Sequence, residues 1–414
     1  MIDPRSAYVH IPFCHRRCFY CDFPVVPLGD RADGSTSGSV AAYLELLQRE
    51  IASCPGGPPL ATVYFGGGTP SMLTPVQVEG LLEALGHRFG LAEGAEVSLE
   101  LDPASFDEAR LAGYLAAGIN RVSLGGQSFD DGVLADLGRR HRGADLREAA
   151  GWLRRALRRG ELASWSLDLI QGLPHQSAAH WDGQLRQAIA LEPPHLSVYD
   201  LIVEPGTVFE RRRQRGELAL PPEDLAADLM EQTWARLTAA GYGHYEISNY
   251  ALPGHASRHN RVYWSGAGWW GFGMGATSAP RGRRSSHPRT RAAYAEALAA
   301  PAPETGHAPE TATTPEPGGM PFDEQLLVGL RRREGVNLQR LARQHHLDPS
   351  LLEDLRRRLA AYEQRQLLCI EGPRWRLADP DGLALSNGVL REMLAWWQEL
   401  EPLSPRTPRR AAAP

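Results

Sequence analysis

Three cysteines, Cys14, Cys18 and Cys21, stand within eight positions in "YVHIPFCHRRCFYCDFPV", which leaves only Cys54 and Cys369 for the rest of the 414 residues. Thiolates are the soft ligands chosen by zinc and by iron–sulfur clusters. A zinc ion would need a fourth ligand, for which His10 or His15 is at hand, yet structural zinc sites usually draw their ligands as two separated pairs. A 4Fe-4S cluster held by three cysteines instead leaves one iron open to a small molecule. The spacing C-x3-C-x2-C therefore favours a cluster over zinc, and either over unliganded thiols.

Such a loop has to be held by a scaffold, and the sequence supplies a repeating one. Six β-rich runs, at residues 7–13, 61–67, 96–102, 120–126, 164–170 and 195–203, alternate with segments whose apolar residues recur at helical spacing. Alternation of that kind predicts β-α units and a parallel sheet. Six units are fewer than the eight of a closed barrel, so the expected fold is α/β, a partial (β/α)6 TIM-like barrel. No G-x-G-x-x-G follows the first run, which argues against a dinucleotide-binding sheet. The polar and glycine-rich residues mostly follow the strands: the cysteines, "GGGTP" at 66–70, Glu100, Asp102, Gln127, Asp168 and Glu204. That is the end of an α/β barrel where chemistry collects.

The barrel is expected over 1–241, followed by a Gly- and aromatic-rich extension over 242–299. A Pro/Thr-rich linker follows at 300–321, then a small winged-helix-like α+β domain at 322–400 and a disordered tail at 401–414. A winged helix is often associated with DNA, but no basic or aromatic stripe marks this one, and a regulator of transcription is the least favoured class. The net charge of −5 gives no general pull toward nucleic acid, and arginine runs such as Arg356 to Arg358 read as solvated helix faces. The N-terminus lacks a basic stretch followed by an apolar one, and nowhere do about 18 apolar residues run together. An odd cysteine count with three crowded together suits a reducing compartment, so a cytoplasmic protein without a transmembrane segment is expected.

The residues "CHRRCFYC" resemble the cluster motif of radical S-adenosylmethionine (SAM) proteins. The resemblance implies that the three cysteines hold the cluster and that SAM occupies the open iron through its amino and carboxylate groups. An electron then cleaves the sulfonium to yield a 5'-deoxyadenosyl radical. Further ordered motifs, "HIPFC", "CDF", "FGGGTPS", "LELDP", "GINRVSLGGQSF", "LGRRH", "LDLIQGLP" and "HLSVYDLIVEPGTVF", narrow the likeness to one branch. It holds the oxygen-independent coproporphyrinogen III dehydrogenases and the haem chaperones, and the resemblance runs from Tyr8 to about Leu400.

Carried over by motif, the resemblance implies a SAM pocket made of Tyr8, Tyr20, Gly66, Gly67, Gly68, Thr69, Glu100, Gln127, Arg139 and Asp168. Glycines there would let backbone approach the cofactor with no Cβ in the way. Glu100 would accept from hydroxyl or amino donors, and Arg139 would fork onto a carboxylate. Taken singly, each of these has a plain structural reading: core aromatics, a strand-to-helix turn, surface ion pairs.

Two features separate the branches. The dehydrogenases carry a fourth cysteine two residues after the third, whereas Cys21 is followed here by Asp22 and Phe23. "HNRVYW" at 259–264 is similar to a signature of the haem chaperones, which makes His259, Asn260 and Tyr263 candidate haem contacts, since a neutral imidazole is a good iron ligand. A histidine that merely caps or packs is the structural alternative. The sequence departs from the branch at Gly126, where valine is usual, and at Met274, Thr277 and Ser278, where Cys, His and Gly are usual. The expected function is haem carriage to an acceptor protein, with an electron donor such as flavodoxin or ferredoxin. Oxidative decarboxylation of coproporphyrinogen III is the alternative.

Overall fold

The computed structural model describes residues 3–30, 34–282, 284–300 and 320–400. The expected linker, from residue 301 to 319, and the expected tail lie outside the described residues. Two compact units result, one containing the chain through Tyr263 and again from Ala267, the other Trp264–Gly266 together with the chain from Met320.

In the first unit the six predicted strands are β1 (Ser6–Ile11), β2 (Leu60–Gly67), β3 (Leu91–Leu101), β4 (Arg121–Gln127), β5 (Ser164–Gln171) and β6 (His195–Asp200). They lie side by side in chain order, all parallel. Helices α1 (Gly38–Ser53), α2 (Pro75–Phe89), α3 (Glu108–Ala116), α4 (Gly143–Arg158), α5 (Ala178–Ala190) and α6 (Glu223–Ala239) follow the strands in turn. Their starts are written locally. Thr74 and Gln77 form a reciprocal capping box on α2, while Asp107 and Ser177 accept from the third backbone N–H of α3 and α5.

Strand alternation sorts the side chains. Val63, Phe65, Leu99, Leu124, Leu167 and Leu169 are fully buried in one apolar core with Leu47, Leu81, Leu85 and Leu153 of the helices. The alternate positions are polar, including Thr62, Tyr64, Ser98, Glu100, Ser123, Ser166, Asp168, Ser197 and Tyr199. They meet across neighbouring strands, as Ser123 does with Ser166 and Asp168. One face of the sheet is thus a hydrophobic seat for helices, and the other a polar interior.

The extension does not stand apart from this sheet. Its strands β7 (Gly243–Glu246) and β8 (Asn249–Ala251) add an antiparallel ribbon beside β6, and β9 (Trp270–Phe272) pairs in parallel with β1, so both edges of the six-stranded sheet are covered. Pairing an exposed edge satisfies its backbone groups. Between these strands runs α7 (Arg258–Ser265).

The second unit holds α8 (Phe322–Leu330), β10 (Val336–Asn337), α9 (Leu338–Gln344), α10 (Pro349–Arg358), the hairpin β11 (Leu368–Glu371) and β12 (Arg374–Leu377), and α11 (Ser386–Leu400). The hairpin turns at Gly372, whose φ of 60° belongs to the left-handed region that suits glycine. Strand order β10-β12-β11 makes a three-stranded sheet. Phe322, Leu326, Leu355, Trp375, Met393 and Trp396 form its own core. No helix among the described residues is long and apolar enough to cross a membrane.

Candidate functional site

The cysteine loop leaves β1 and is pinned at both ends. Cys14 lies in a two-residue strand, Phe13–Cys14, paired with Val26–Pro27, and the N–H of Leu28 donates to Cys14 O at 2.8 Å. At its far side Phe19 N–H donates to Leu137 O, and Phe209 N–H donates to Phe19 O, both at 3.0 Å. The result is a loop held to the C-terminal ends of the strands.

All three cysteines line one cavity of about 430 Å³. Its walls come from the ends of β2 to β6: Gly67, Gly68, Thr69, Glu100, Asp102, Gln127, Asp168 and Tyr199, with Tyr20 and Arg139 from the loops. A cavity of this size is within the range that takes one small-molecule ligand. Of the ten residues expected to form a SAM pocket, eight line it, while Tyr8 and Gly66 do not. The Tyr8 hydroxyl sits 3.0 Å from His10 Nδ1 and its ring stacks on Tyr64, which is a lining residue.

The glycine run is shaped for close approach. Gly68 is so near the cysteine loop that a Cβ would stand 2.8 Å from both Cys14 Sγ and Phe13 O. At Gly67, where φ is 122°, a Cβ would stand 2.6 Å from the His10 ring. Burial pushes the Cys14 thiol up to about 12, against a hydrogen bond from the Thr69 side chain, and pushes Cys21 up to about 11. Such thiols stay protonated until a metal takes the proton's place. Among the described residues no three His, Cys, Asp or Glu side chains converge on a single ion. A 4Fe-4S cluster distributes its thiolates over separate irons, and three thiols lining one cavity suit such a donor set. His10 is also committed elsewhere, since Nε2 lies 2.9 Å from Pro24 O.

Electrostatics divide the cavity. Arg139 lies 2.9 Å from Asp102 Oδ2, donates to Gly125 O at 2.7 Å and reaches to 3.8 Å from Cys18 Sγ. Burial alone would raise the Asp102 carboxyl, but Arg139 and His141 hold it well below the usual carboxylate range. The Nη2 of Arg139 is therefore committed to Asp102 and a backbone carbonyl, while its buried Nε has no hydrogen-bond partner among the described residues. Glu100 is the opposite case. Burial, reinforced by nearby Asp168, lifts it to about 7 even though the Tyr64 hydroxyl and the Gly67 N–H donate to it at 3.0 Å. Asp168 is likewise raised by burial, and Ser123 donates to it at 2.7 Å. Asp102 and Tyr64 were not singled out as cofactor contacts from sequence, although "LELDP" and "VYFGGG" place them two residues from ones that were.

The haem candidates do not themselves line the cavity. His259 is 1% exposed, and its ring stacks on that of Tyr64, a lining residue, with centroids 5.1 Å apart. Its Nδ1 lies 2.8 Å from Thr62 Oγ1, its Nε2 lies 2.8 Å from Tyr263 OH, and its backbone N–H donates to Glu96 at 2.9 Å. Asn260 N–H donates to Ser257 Oγ. Glu96 accepts also from Arg258 N–H and lies 3.6 Å from Arg121, so the motif closes the base of the barrel. Both imidazole nitrogens are engaged, and burial drives the ring down to about 3, which keeps it neutral. The expected haem contacts His259, Asn260 and Tyr263 are thus held by these protein partners. Met274, at the position where the branch has cysteine, is 2% exposed, and its N–H donates to the Tyr43 hydroxyl.

Comparison with known proteins accords with this geometry. Residues 8–186 match the model of the Radical SAM superfamily. The chain is 42% identical to the "Heme chaperone HemW" of Synechocystis over 96% of its own length and 98% of that protein's. It is 34% identical to the protein of the same name from Bacillus subtilis, over 85% and 91%. Coproporphyrinogen III oxidase (HemN) from Escherichia coli, a radical SAM enzyme, superposes with a TM-score of 0.76 at 23% identity, over 94% of this chain and 90% of that one, which shows a shared fold. The chain belongs to the radical SAM superfamily and, within it, to the HemW family.

Proposed function

We propose that this protein is a haem chaperone that holds a 4Fe-4S cluster on Cys14, Cys18 and Cys21, binds SAM at the open iron, and delivers haem to an acceptor protein in the cytoplasm. The observation that carries the cofactor reading is the shared cavity: three thiols, the Gly67–Gly68–Thr69 cradle, Glu100, Gln127, Arg139 and Asp168 surround one ligand-sized volume. Haem enters from the relatives' name, at 42% identity over nearly the whole chain.

When bound, the cluster supplies an open coordination position and an electron relayed from a flavodoxin- or ferredoxin-type donor. The chain's own residues do the rest. Gly68 leaves room beside the cysteine loop, and Thr69 steadies the Cys14 sulfur. Arg139 places a fixed positive charge beside Cys18, where it offsets thiolate charge. Glu100 and Asp168 offer carboxylate acceptors for ribose hydroxyls or the amino group.

Decarboxylation of coproporphyrinogen III is the competing activity. Anaerobic incubation of the reconstituted protein with SAM, a reductant and coproporphyrinogen III distinguishes them. The chaperone reading expects no decarboxylated product, and turnover would overturn it.

A further inference from the structure

The second unit has a cavity of its own. We infer that this cavity, walled by α8, β10, α9 and β12, binds the phosphate dianion of a small phosphorylated molecule on Arg332, Arg340 and Arg374. None of its lining residues lines the cysteine-bearing cavity, and the site does not depend on the SAM or the haem reading.

Its construction starts with two glycines. Gly335 has a φ of 62°, and a Cβ there would run into Trp375 O and Arg376, so only glycine lets the turn after α8 lie against β12. A Cβ at Gly329 of α8 would likewise meet the Val336 side chain of β10. With both close approaches made, β10 pairs antiparallel with β12 and sets Asn337 opposite Arg374. What remains between these elements is a cavity of about 230 Å³.

Charge marks what it takes. Three guanidiniums line it, from three separate stretches of chain, against one carboxylate, that of Glu334. Arg332 donates to Gly335 O at 3.3 Å and Arg374 to Glu334 O at 2.7 Å, so backbone carbonyls of one turn hold both side chains in place. Arg340 stands in the first turn of α9, where its backbone N–H donates to the capping Asn337 Oδ1 at 2.9 Å. Its guanidinium has no hydrogen bond or ion pair among the described residues, which leaves it to close on a ligand that the other two hold. Each guanidinium is permanently charged and offers five N–H donors, in a fork that matches phosphate oxygens. Three such groups against one carboxylate suit a doubly charged anion better than a singly charged one. The volume falls below the roughly 300 Å³ at which pockets for drug-sized ligands begin, so a compact phosphorylated molecule fits and a duplex does not.

The test titrates inorganic phosphate into the full chain, cluster reconstituted and SAM present, by isothermal calorimetry in a buffer low in salt. Glycerol phosphate is the second probe and acetate the carboxylate comparator. One equivalent of phosphate per chain should bind, glycerol phosphate at least as tightly, and acetate about tenfold more weakly. Arg340→Gln should weaken phosphate about tenfold, the effect of losing a charge-assisted hydrogen bond. Arg391→Gln is the control: Arg391 lies on α11, outside the lining, and it too has no partner among the described residues. It should keep wild-type affinity, and both variants should keep the wild-type thermal midpoint because neither side chain has a partner to lose. No saturable binding, wild-type affinity in Arg340→Gln, an equal loss in Arg391→Gln, or acetate bound as tightly as phosphate would overturn the site. A DNA duplex that displaces phosphate and binds more tightly would assign the arginines to a nucleic-acid backbone and overturn it as well.

Discussion

Arg139 and Asp102 are joined at 2.9 Å beside the cysteine loop, and the same guanidinium extends to 3.8 Å from Cys18 Sγ. The pair is mostly shielded from water, and burial opposes both charges. Removing one member of a buried pair strands the other, at a cost of about 3–5 kcal/mol. Asp102→Ala should therefore lower the chemical-denaturation midpoint substantially, and Asp102→Asn, which keeps a hydrogen-bond acceptor for Arg139, should lower it less. Equal midpoints for the wild type and Asp102→Ala would show the pair to be energetically idle.

Gly68→Ala tests the cradle. Its Cβ would press on Cys14 Sγ and Phe13 O, and Phe13 O is backbone that cannot swing aside. Reconstituted Gly68→Ala should hold less iron per chain than the wild type at an unchanged fold by circular dichroism. Gly38→Ala, whose Cβ meets nothing within 4 Å, is the control expected to retain full iron.

Glu100 should make SAM binding depend on pH. Burial raises its carboxyl to about 7, so it is largely protonated at pH 6 and ionised at pH 8. An ionised carboxylate accepts from cationic or hydroxyl donors better than a neutral one, so affinity should rise with pH and level off above about 7, by at most about tenfold per unit below it. Glu100→Gln should flatten the profile, measured by equilibrium dialysis between pH 6 and 8. The sign for stability is opposite: a carboxyl raised on folding binds protons more tightly in the native state, so its contribution favours the native state at low pH and is lost as pH climbs toward about 7.

His259 should matter for stability. Its ring links Thr62 to Tyr263, and stacks on Tyr64 with ring centroids 5.1 Å apart. His259→Ala leaves a buried hydroxyl short of a partner at each end, at about 1–3 kcal/mol per group. The thermal midpoint should fall, and Thr62→Val should cost less when made in the His259→Ala background than in the wild type. Additive effects would contradict the link.

Much of this was written locally and some was not. The six strands show because alternation and β-branched residues mark them, and their order follows from short connections between neighbours. The cavity is legible for the same reason, since Gly67, Glu100, Gln127 and Asp168 each stand at a strand end. The edge strands β7 to β9 were missed because each is only three or four residues long and is made a strand by the partner it meets. The hydrogen bonds of His259 were not legible because "HNRVYW" carries no trace of Glu96 or Thr62, which lie 163 and 197 positions away. The pairing of Arg139 was not legible for the same reason: its partner, Asp102, stands just after β3, far back in the chain.

The most direct measurement of the central claim is a haem titration of the reconstituted wild-type chain under anaerobic conditions. One Soret-absorbing equivalent per chain, taken up with the cluster's iron retained, is the predicted result. A chain that holds its cluster and SAM yet shows no saturable Soret band would contradict it.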